Sequence, residues 1–373
     1  MEPVATLRFP LEELPEAAVA LRGEVRAFLA GELAAGSFVP RCDAWLSGAD
    51  PAFSRRLGVR GWLGMTWPKK YGGHERSALE RHIVIEELLA AGAPVAAHWI
   101  ADRQTGPLLL RYGTEEQRLR YLPGMARGDV QFAIGMSEPD AGSDLASVRT
   151  AGRKVEGGWR LDGTKVWTSG AHLADAMITL ARTEPIGDDR HLGLSQVIVD
   201  LKGPGVEIRP IRLLTGEHHF NEVLLRDCFV PDGMVVGKLG EGWKQVTSEL
   251  AYERSGPERF LSTFPLLAAM AAASGSASVG RLAAELWALR RLSLAVAAAL
   301  QRGEEPVIEA ALVKDLGTRF EREVTELSRT IHGGEPNHPL YEHYRRSLLE
   351  GPGFTLRGGT NEVLRSVVAR SLK

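Results

Sequence analysis

The stretch Ser248-Glu249-Leu-Ala-Tyr252-Glu253-Arg254-Ser-Gly256-Pro257-Glu-Arg-Phe260 sets two carboxylates about one helical turn apart, just ahead of a proline. A carboxylate held in place can take a proton from a weakly acidic carbon, a service worth ~10²–10⁴ in rate. Pro257 has no N–H for the carbonyl of Glu253, four residues earlier, so a helix running through this stretch opens or kinks there. Gly256 leaves space on the same face. Taken alone, the Glu253-Arg254 pair is an exposed helical pair, solvated or bridged to a neighbour. A second constellation, Phe132-Ala-Ile-Gly-Met136-Ser137-Glu-Pro-Asp-Ala141-Gly142-Ser143-Asp144, places small residues where backbone N–H groups can approach a ligand closely. The same composition is good turn chemistry in any protein. Trp167-Thr168-Ser169 follows in a strand-like run, where a tryptophan is by itself a core residue. Near the carboxyl end, Arg357-Gly358-Gly359-Thr360-Asn361-Glu362 ends in an N-cap sequence for a helix over 362–372.

The chain that must position these residues has 373 of them, enough for two or three packed units with ample core. Its 44% hydrophobic and 25% charged content is that of an ordinary soluble globular protein. Lys+Arg 45 against Asp+Glu 47 gives a net charge of −2, so no global basic surplus points to nucleic acid or to an anionic membrane surface. An anionic ligand needs a local basic pocket. Cys42 and Cys228 are the only cysteines, which argues against a disulfide framework and a cysteine-based zinc site. The amino end carries acids where a secretory signal carries bases, and the longest apolar runs fall far short of the ~20 residues of a membrane helix. The expected location is the cytoplasm.

Composition divides the chain into three zones, with expected domains over 1–130, 131–240 and 241–373. Leu11–Ala34 and Ala78–Ala91 have apolar residues at helical spacing. Thr114, with Gln117 three residues on, predicts a capped helix start. From about 131 the period changes to two. Trp159–Leu161 and Thr164–Trp167 flank Asp162-Gly163, which predicts a hairpin turning at that pair. Further strands are expected over 176–181, 195–201, 206–211 and 223–230. The glycine-rich run Gly237–Gly242 lacks dinucleotide spacing and reads as a hinge into the last helical zone. Residues 261–300 and 309–327 are expected to be helical. The fold class is α+β: an N-terminal helical domain, a small central β-barrel or sheet, and a C-terminal four-helix bundle.

Four segments, in this order, resemble the acyl-CoA dehydrogenase family: Gly61–Gly73, Phe132–Asp144, Gly163–Ser169 and the tail Gly359-Thr360-Asn361-Glu362. The resemblance extends through nearly the whole chain. It implies FAD as cofactor, an acyl-CoA thioester as substrate, an electron-transfer flavoprotein as acceptor, and a homodimer or homotetramer. By resemblance, Met136, Ser137, Trp167, Thr168 and Ser169 meet the isoalloxazine ring, and Gly142 and Ser143 lie near flavin and CoA. Gly333, Gly334, Thr360 and Glu362 serve the rest of FAD. The family's reaction removes a proton from the thioester's α-carbon and a hydride from its β-carbon. Its usual base, a glutamate just before Gly-Thr, is replaced here by Gly358, whose backbone N–H remains for the thioester oxygen. A minor branch, including isovaleryl and long-chain enzymes, supplies the base from the helix after the β domain. Glu253 falls at that position, Glu249 is the reserve, and Tyr252 and Arg254 are placed beside the substrate.

Two departures qualify the match. The Arg-x-x-Phe-Gly stretch with which typical members reach a neighbour's FAD pyrophosphate is absent, with Arg281 as the nearest substitute, and Thr330 stands where the family has glutamine. This pattern is similar to that of the steroid-active branch, whose heterotetramers pair two different chains. The open alternatives are a non-catalytic partner subunit of a heteromeric dehydrogenase and a flavin monooxygenase of the same fold.

Overall fold

The computed structural model describes residues 7–253, 255–332 and 335–371. Its helices are α1 (Glu16–Ala34), α2 (Ala44–Ser47), α3 (Pro51–Val59), α4 (Ala78–Ala90), α5 (Ala96–Ile100), α6 (Gly106–Tyr112) and α7 (Glu115–Arg127), then, after the strands, α8 (Gly242–Glu253), α9 (Phe264–Ala273), α10 (Ala277–Gln301), α11 (Val307–His332), α12 (Tyr341–Phe354) and α13 (Asn361–Ser371). The strands are β1 (Phe132–Gly135), β2 (Ala151–Val155), β3 (Gly158–Ser169), β4 (Ala176–Arg182), β5 (Leu194–Asp200), β6 (Val206–Arg212), β7 (His218–Pro231) and β8 (Val235–Val236). The chain forms two compact units. One comprises residues 1–48, 76–94 and 250–373; the other comprises 49–75 and 95–249.

The first unit is helical. α4 packs on α1 and α10, and α11 packs on α9, α10, α12 and α13. A capping box starts α4. Ser77 caps α4 by accepting from the Glu80 N–H at 3.1 Å, and the Glu80 carboxylate accepts in return from the Ser77 N–H at 2.9 Å. One difference concerns residues 261–300, which form two helices. The chain breaks at Ser274-Gly275-Ser276, and the Ser276 hydroxyl caps α10.

The second unit holds the sheet, ordered β6-β7-β3-β2-β4-β5-β8, with β1 added parallel to β4. Its outer strands do not pair with each other, so it is an open sheet and not the barrel offered as an alternative. Leu108, Leu109, Leu122 and Met125 pack with Phe132, Met177, Ile178 and Val223 in its core. Thr114 and Gln117 form the expected capping box at α7. The hairpin does not turn at Asp162-Gly163. β3 continues through that pair, with a register shift against β7 between Leu161 and Gly163, and the turn lies at Glu156-Gly157, where Gly157 has φ +72°. Gly163 serves a close approach instead: a Cβ there would lie 2.4 Å from Thr150 Oγ1. The Asp162 carboxylate accepts across the sheet from the Asp227 N–H.

Candidate functional site

In the sheet unit, β1 delivers Met136 and Ser137 at its end, and the next residues form a tight turn in which Glu138 and Ala141 exchange backbone hydrogen bonds. Glu138 anchors that turn. Its carboxylate accepts from the Arg149 N–H at 2.7 Å, the Thr150 N–H at 2.9 Å and Lys165 Nζ at 2.8 Å. Lys165, fully buried in β3, also donates to the Met136 carbonyl at 3.1 Å. Its path is open because Gly135 has no side chain; a Cβ there would sit 3.1 Å from Lys165 Cγ. Burial pushes the Lys165 ammonium down to about 8, with Glu138 opposing. Burial pushes the Glu138 carboxyl up, but Lys165, Thr150 and the Arg149 N–H outweigh it and hold it below its ordinary range.

Directly past Lys165 on β3, the register against β7 slips between Lys165 and Thr168, and Trp167 occupies the bulge at φ +58°. A bulky residue in left-handed backbone is an outlier worth ~1–3 kcal/mol, retained where the surroundings enforce it. Here the Val166 N–H donates to the Ser137 carbonyl at 2.9 Å, and Asn221 Nδ2 donates to the Thr168 carbonyl at 2.9 Å. The indole is 56% exposed and touches Phe220 edge-on at 5.8 Å between centroids. A large apolar ring on a pinned strand, open to an aromatic ligand, is what stacking on an isoalloxazine requires. It is not the core residue that its strand context alone suggests. Gly142 and Ser143 are exposed, and a Cβ on Gly142 would meet nothing, so the chain itself gives no reason for glycine there. Thr168 is buried, and its Oγ1 has no hydrogen-bond partner; Ser169 is half-buried. The structure thus brings Met136, Ser137, Trp167, Thr168 and Ser169 together through β1, β3 and one hydrogen bond, and they fit the ring half of FAD.

In the helical unit, Gly358 and Gly359 are both left-handed, at φ +66° and +84°. Buried Lys314 fixes the turn, donating to the Gly359 carbonyl at 2.8 Å and to Asn361 Oδ1 at 2.6 Å. Thr360 caps α13 by accepting from the Val363 N–H at 3.3 Å, and Glu362 is exposed in its first turn. Before the glycines, Arg357 forms a two-pronged ion pair with buried Asp43 at 2.6 and 2.8 Å and stacks over Trp45. Arg259, 2% exposed, also lies over Trp45. Its guanidinium fills the space beside Gly358, where a Cβ would approach it to 2.8 Å. α8 ends at Glu253, and the next helical turn begins at Pro257, as the proline predicts. The side chains of Glu249, Tyr252 and Glu253, together with Arg254, Gly333 and Gly334, lie outside the described residues. Arg281 is bridged to Glu285 and Glu323.

Sequence reasoning missed the buried pairs Glu138–Lys165 and Asp43–Arg357, Arg259 beside Gly358, and Asn221 behind the bulge. The one signal available was Lys165 inside the strand-like run Thr164–Trp167. It also missed Glu321, whose carboxylate accepts from the Ser262 N–H at 2.7 Å while Oε2 has no partner. Burial pushes this carboxyl up to about 7, against Arg357 and Ser262. A folded value above the ordinary 4.5 adds stability that is complete below 4.5 and is lost as pH rises through about 7. Glu321→Gln is therefore expected to gain on the parent by on the order of 3 kcal/mol between about pH 4 and pH 8. Thermal unfolding across that range checks it; parallel Tm curves would contradict the assignment.

Among the described residues no cluster of His, Cys, Asp and Glu is built to hold a metal, and no helix is long and apolar enough to cross a membrane. Three family profiles match in series: acyl-CoA dehydrogenase N-terminal domain over 15–129, middle domain over 133–228 and C-terminal domain over 269–373. Acyl-CoA dehydrogenase FadE29 of Mycobacterium tuberculosis is 36% identical over 346 residues, covering 86% of this chain and 87% of its own. The solved Tcur3481-Tcur3483 steroid ACAD superimposes with a TM-score of 0.84 at 31% identity, covering 96% of this chain and 97% of its own. The ChsE4-ChsE5 complex from Mycobacterium tuberculosis gives 0.82 at 29% identity, with coverage of 96% and 97%.

Proposed function

The chain belongs to the acyl-CoA dehydrogenase family, whose members are FAD-dependent oxidoreductases, and from that premise we propose that it converts an acyl-CoA thioester to its trans-2-enoyl-CoA with Glu253 as the base. FAD, when bound, supplies the acceptor for the β-hydride, and its electrons then leave to an electron-transfer flavoprotein. Trp167 would flank the ring, and Met136, Ser137, Thr168 and Ser169 would hold it. Gly142 and Ser143 leave room for flavin and CoA. Thr360 and Glu362, at the start of α13, serve the adenosine part together with Gly333 and Gly334.

The Glu253 carboxylate takes the α-proton. The Gly358 N–H donates to the thioester oxygen as enolate charge develops there, while Tyr252 and Arg254 orient the CoA ester. The observation that carries the flavin assignment is the Trp167 bulge: the chain accepts a strained backbone in order to hold a large indole in the open. The end of α8 at Glu253 supports the base, since no backbone N–H from Pro257 closes the helix over that residue.

The same reading explains why the tail has no carboxylate. A glutamate at 358 requires left-handed backbone and must displace or pair with the Arg259 guanidinium, which would cost it basicity. Adding Gly358→Glu to a Glu253→Gln chain is therefore expected to leave flavin reduction as slow as in Glu253→Gln alone. Recovery of the parent rate would place the base at the tail.

A second reading, a partner subunit of a heteromer, is favoured by the two-chain complexes among the similar structures and by the absent Arg-x-x-Phe-Gly stretch. The flavin content and mass of the chain purified alone decide between them. A yellow homodimer or homotetramer supports the first reading. A colourless chain that gains FAD only when produced with a second, related chain supports the other. We also propose domain boundaries near 130 and 240, which limited proteolysis tests.

A further inference from the structure

We propose that Asn221 is a positioning residue for the Trp167 bulge, with its amide oriented by His218 and His172. The inference rests on the reading of Trp167 as the flavin-flanking ring. Asn221 is fully buried on β7 and is the register partner of Thr168, the first paired residue after the bulge. The Thr168 carbonyl can only accept, so the amide nitrogen of Asn221 must face it, at 2.9 Å. That fixes Asn221 Oδ1 toward His218 Nε2 at 2.8 Å, and Nε2 must then donate. The remaining amide N–H faces His172 Nδ1 at 3.2 Å and the His219 carbonyl at 3.4 Å, both on the acceptor side. The His172 and His218 rings lie 4.1 Å apart and enclose the amide from one side.

Each assignment forces the next, so the amide has a single orientation. The bulge is thus pinned at both ends: at Val166 by the Ser137 carbonyl, and at Thr168 by Asn221. Only the second pin is a side chain, and it can be altered without touching the strand's own hydrogen bonds. Phe220, beside Asn221 on β7, meets the Trp167 ring edge-on, so one short segment sets both the backbone and the face of the indole.

Asn221→Asp keeps the shape and the acceptor for His218 but removes both donors and sets a carboxylate against the Thr168 carbonyl. His218→Gln loosens the amide without entering the bulge. Backbone hydrogen exchange at residues 167–169 of the flavin-free protein is expected to speed up about tenfold in Asn221→Asp and less in His218→Gln. FAD affinity, read by flavin fluorescence, is expected to fall about tenfold in Asn221→Asp, with a shifted flavin absorption band that a merely structural loss would not produce. Parent exchange rates and parent affinity in both variants would overturn the proposal; if Asn221→Asp does not fold, His218→Gln alone decides it. If the parent takes no FAD even with a partner chain, the flavin reading of Trp167 fails, and the exchange measurement still decides whether Asn221 holds the bulge.

Discussion

Glu253→Gln is expected to slow anaerobic flavin bleaching by acyl-CoA ~10²–10⁴-fold while FAD stays bound. A positioned general base contributes ~10²–10⁴ in rate, or roughly 3–5 kcal/mol of barrier, and glutamine keeps the size of glutamate but cannot take a proton. The effect is expected on the chemical step, since the residues proposed for the ring half of FAD lie on or beside β1 and β3 and not at residue 253. FAD content and the unliganded flavin spectrum should match the parent. Glu249→Gln, one turn earlier on α8, is the control and should bleach at nearly the parent rate. Stopped-flow absorbance separates the two. A fast Glu253→Gln with a slow Glu249→Gln would move the base one turn back along the helix.

The second large effect is on folding. Lys165→Met is expected to destabilise the protein by about 3–5 kcal/mol, because it leaves the buried Glu138 carboxylate without its countercharge. For a chain of this size that lowers Tm by about 5 °C. FAD binding should weaken in parallel, since Lys165 also holds the Met136 carbonyl and Glu138 anchors the turn that follows Ser137. The double variant Glu138→Gln, Lys165→Met is expected to recover a large part of the loss, since removing both charges removes the burial penalty with the attraction. Differential scanning calorimetry of the three variants gives the coupling. A Lys165→Met protein as stable as the parent, or a double variant whose losses simply add, would contradict the account of this pair.

Much of the helical frame was legible because its signals are local. Thr114 with Gln117 announces the start of α7, the apolar period announces α4, and Pro257 announces the break after α8. The sheet was less legible where one residue type serves two purposes. Asp162-Gly163 has the composition of a hairpin turn, yet the glycine is there because Thr150 leaves no room for a Cβ. Strand β2, Ala-Gly-Arg-Lys-Val, is exposed at three of five positions and carries no apolar alternation to mark it. The alanine- and leucine-rich run after 261 hides its break because only Ser274-Gly275-Ser276 interrupts it.

Within the candidate site, residue types were readable and their supports were not. The motifs name Met136, Ser137 and Trp167 but give no hint that the tryptophan leaves the core on a left-handed bulge. Lys165 reaches Glu138 across 27 positions of sequence, and Asn221 reaches Thr168 across 53. Such pairings exist only once the sheet has its register. The same holds for Arg259 beside Gly358: the sequence reveals a missing carboxylate, and only the packing reveals what fills its place.

The most direct test is an anaerobic titration of the purified, FAD-loaded protein with a panel of straight-chain, branched and steroid-side-chain acyl-CoA thioesters. Bleaching of the flavin with one equivalent of enoyl-CoA formed per flavin, lost in Glu253→Gln, is the expected result. A flavin that stays oxidised with every thioester, in the chain alone and with a partner chain, would contradict it.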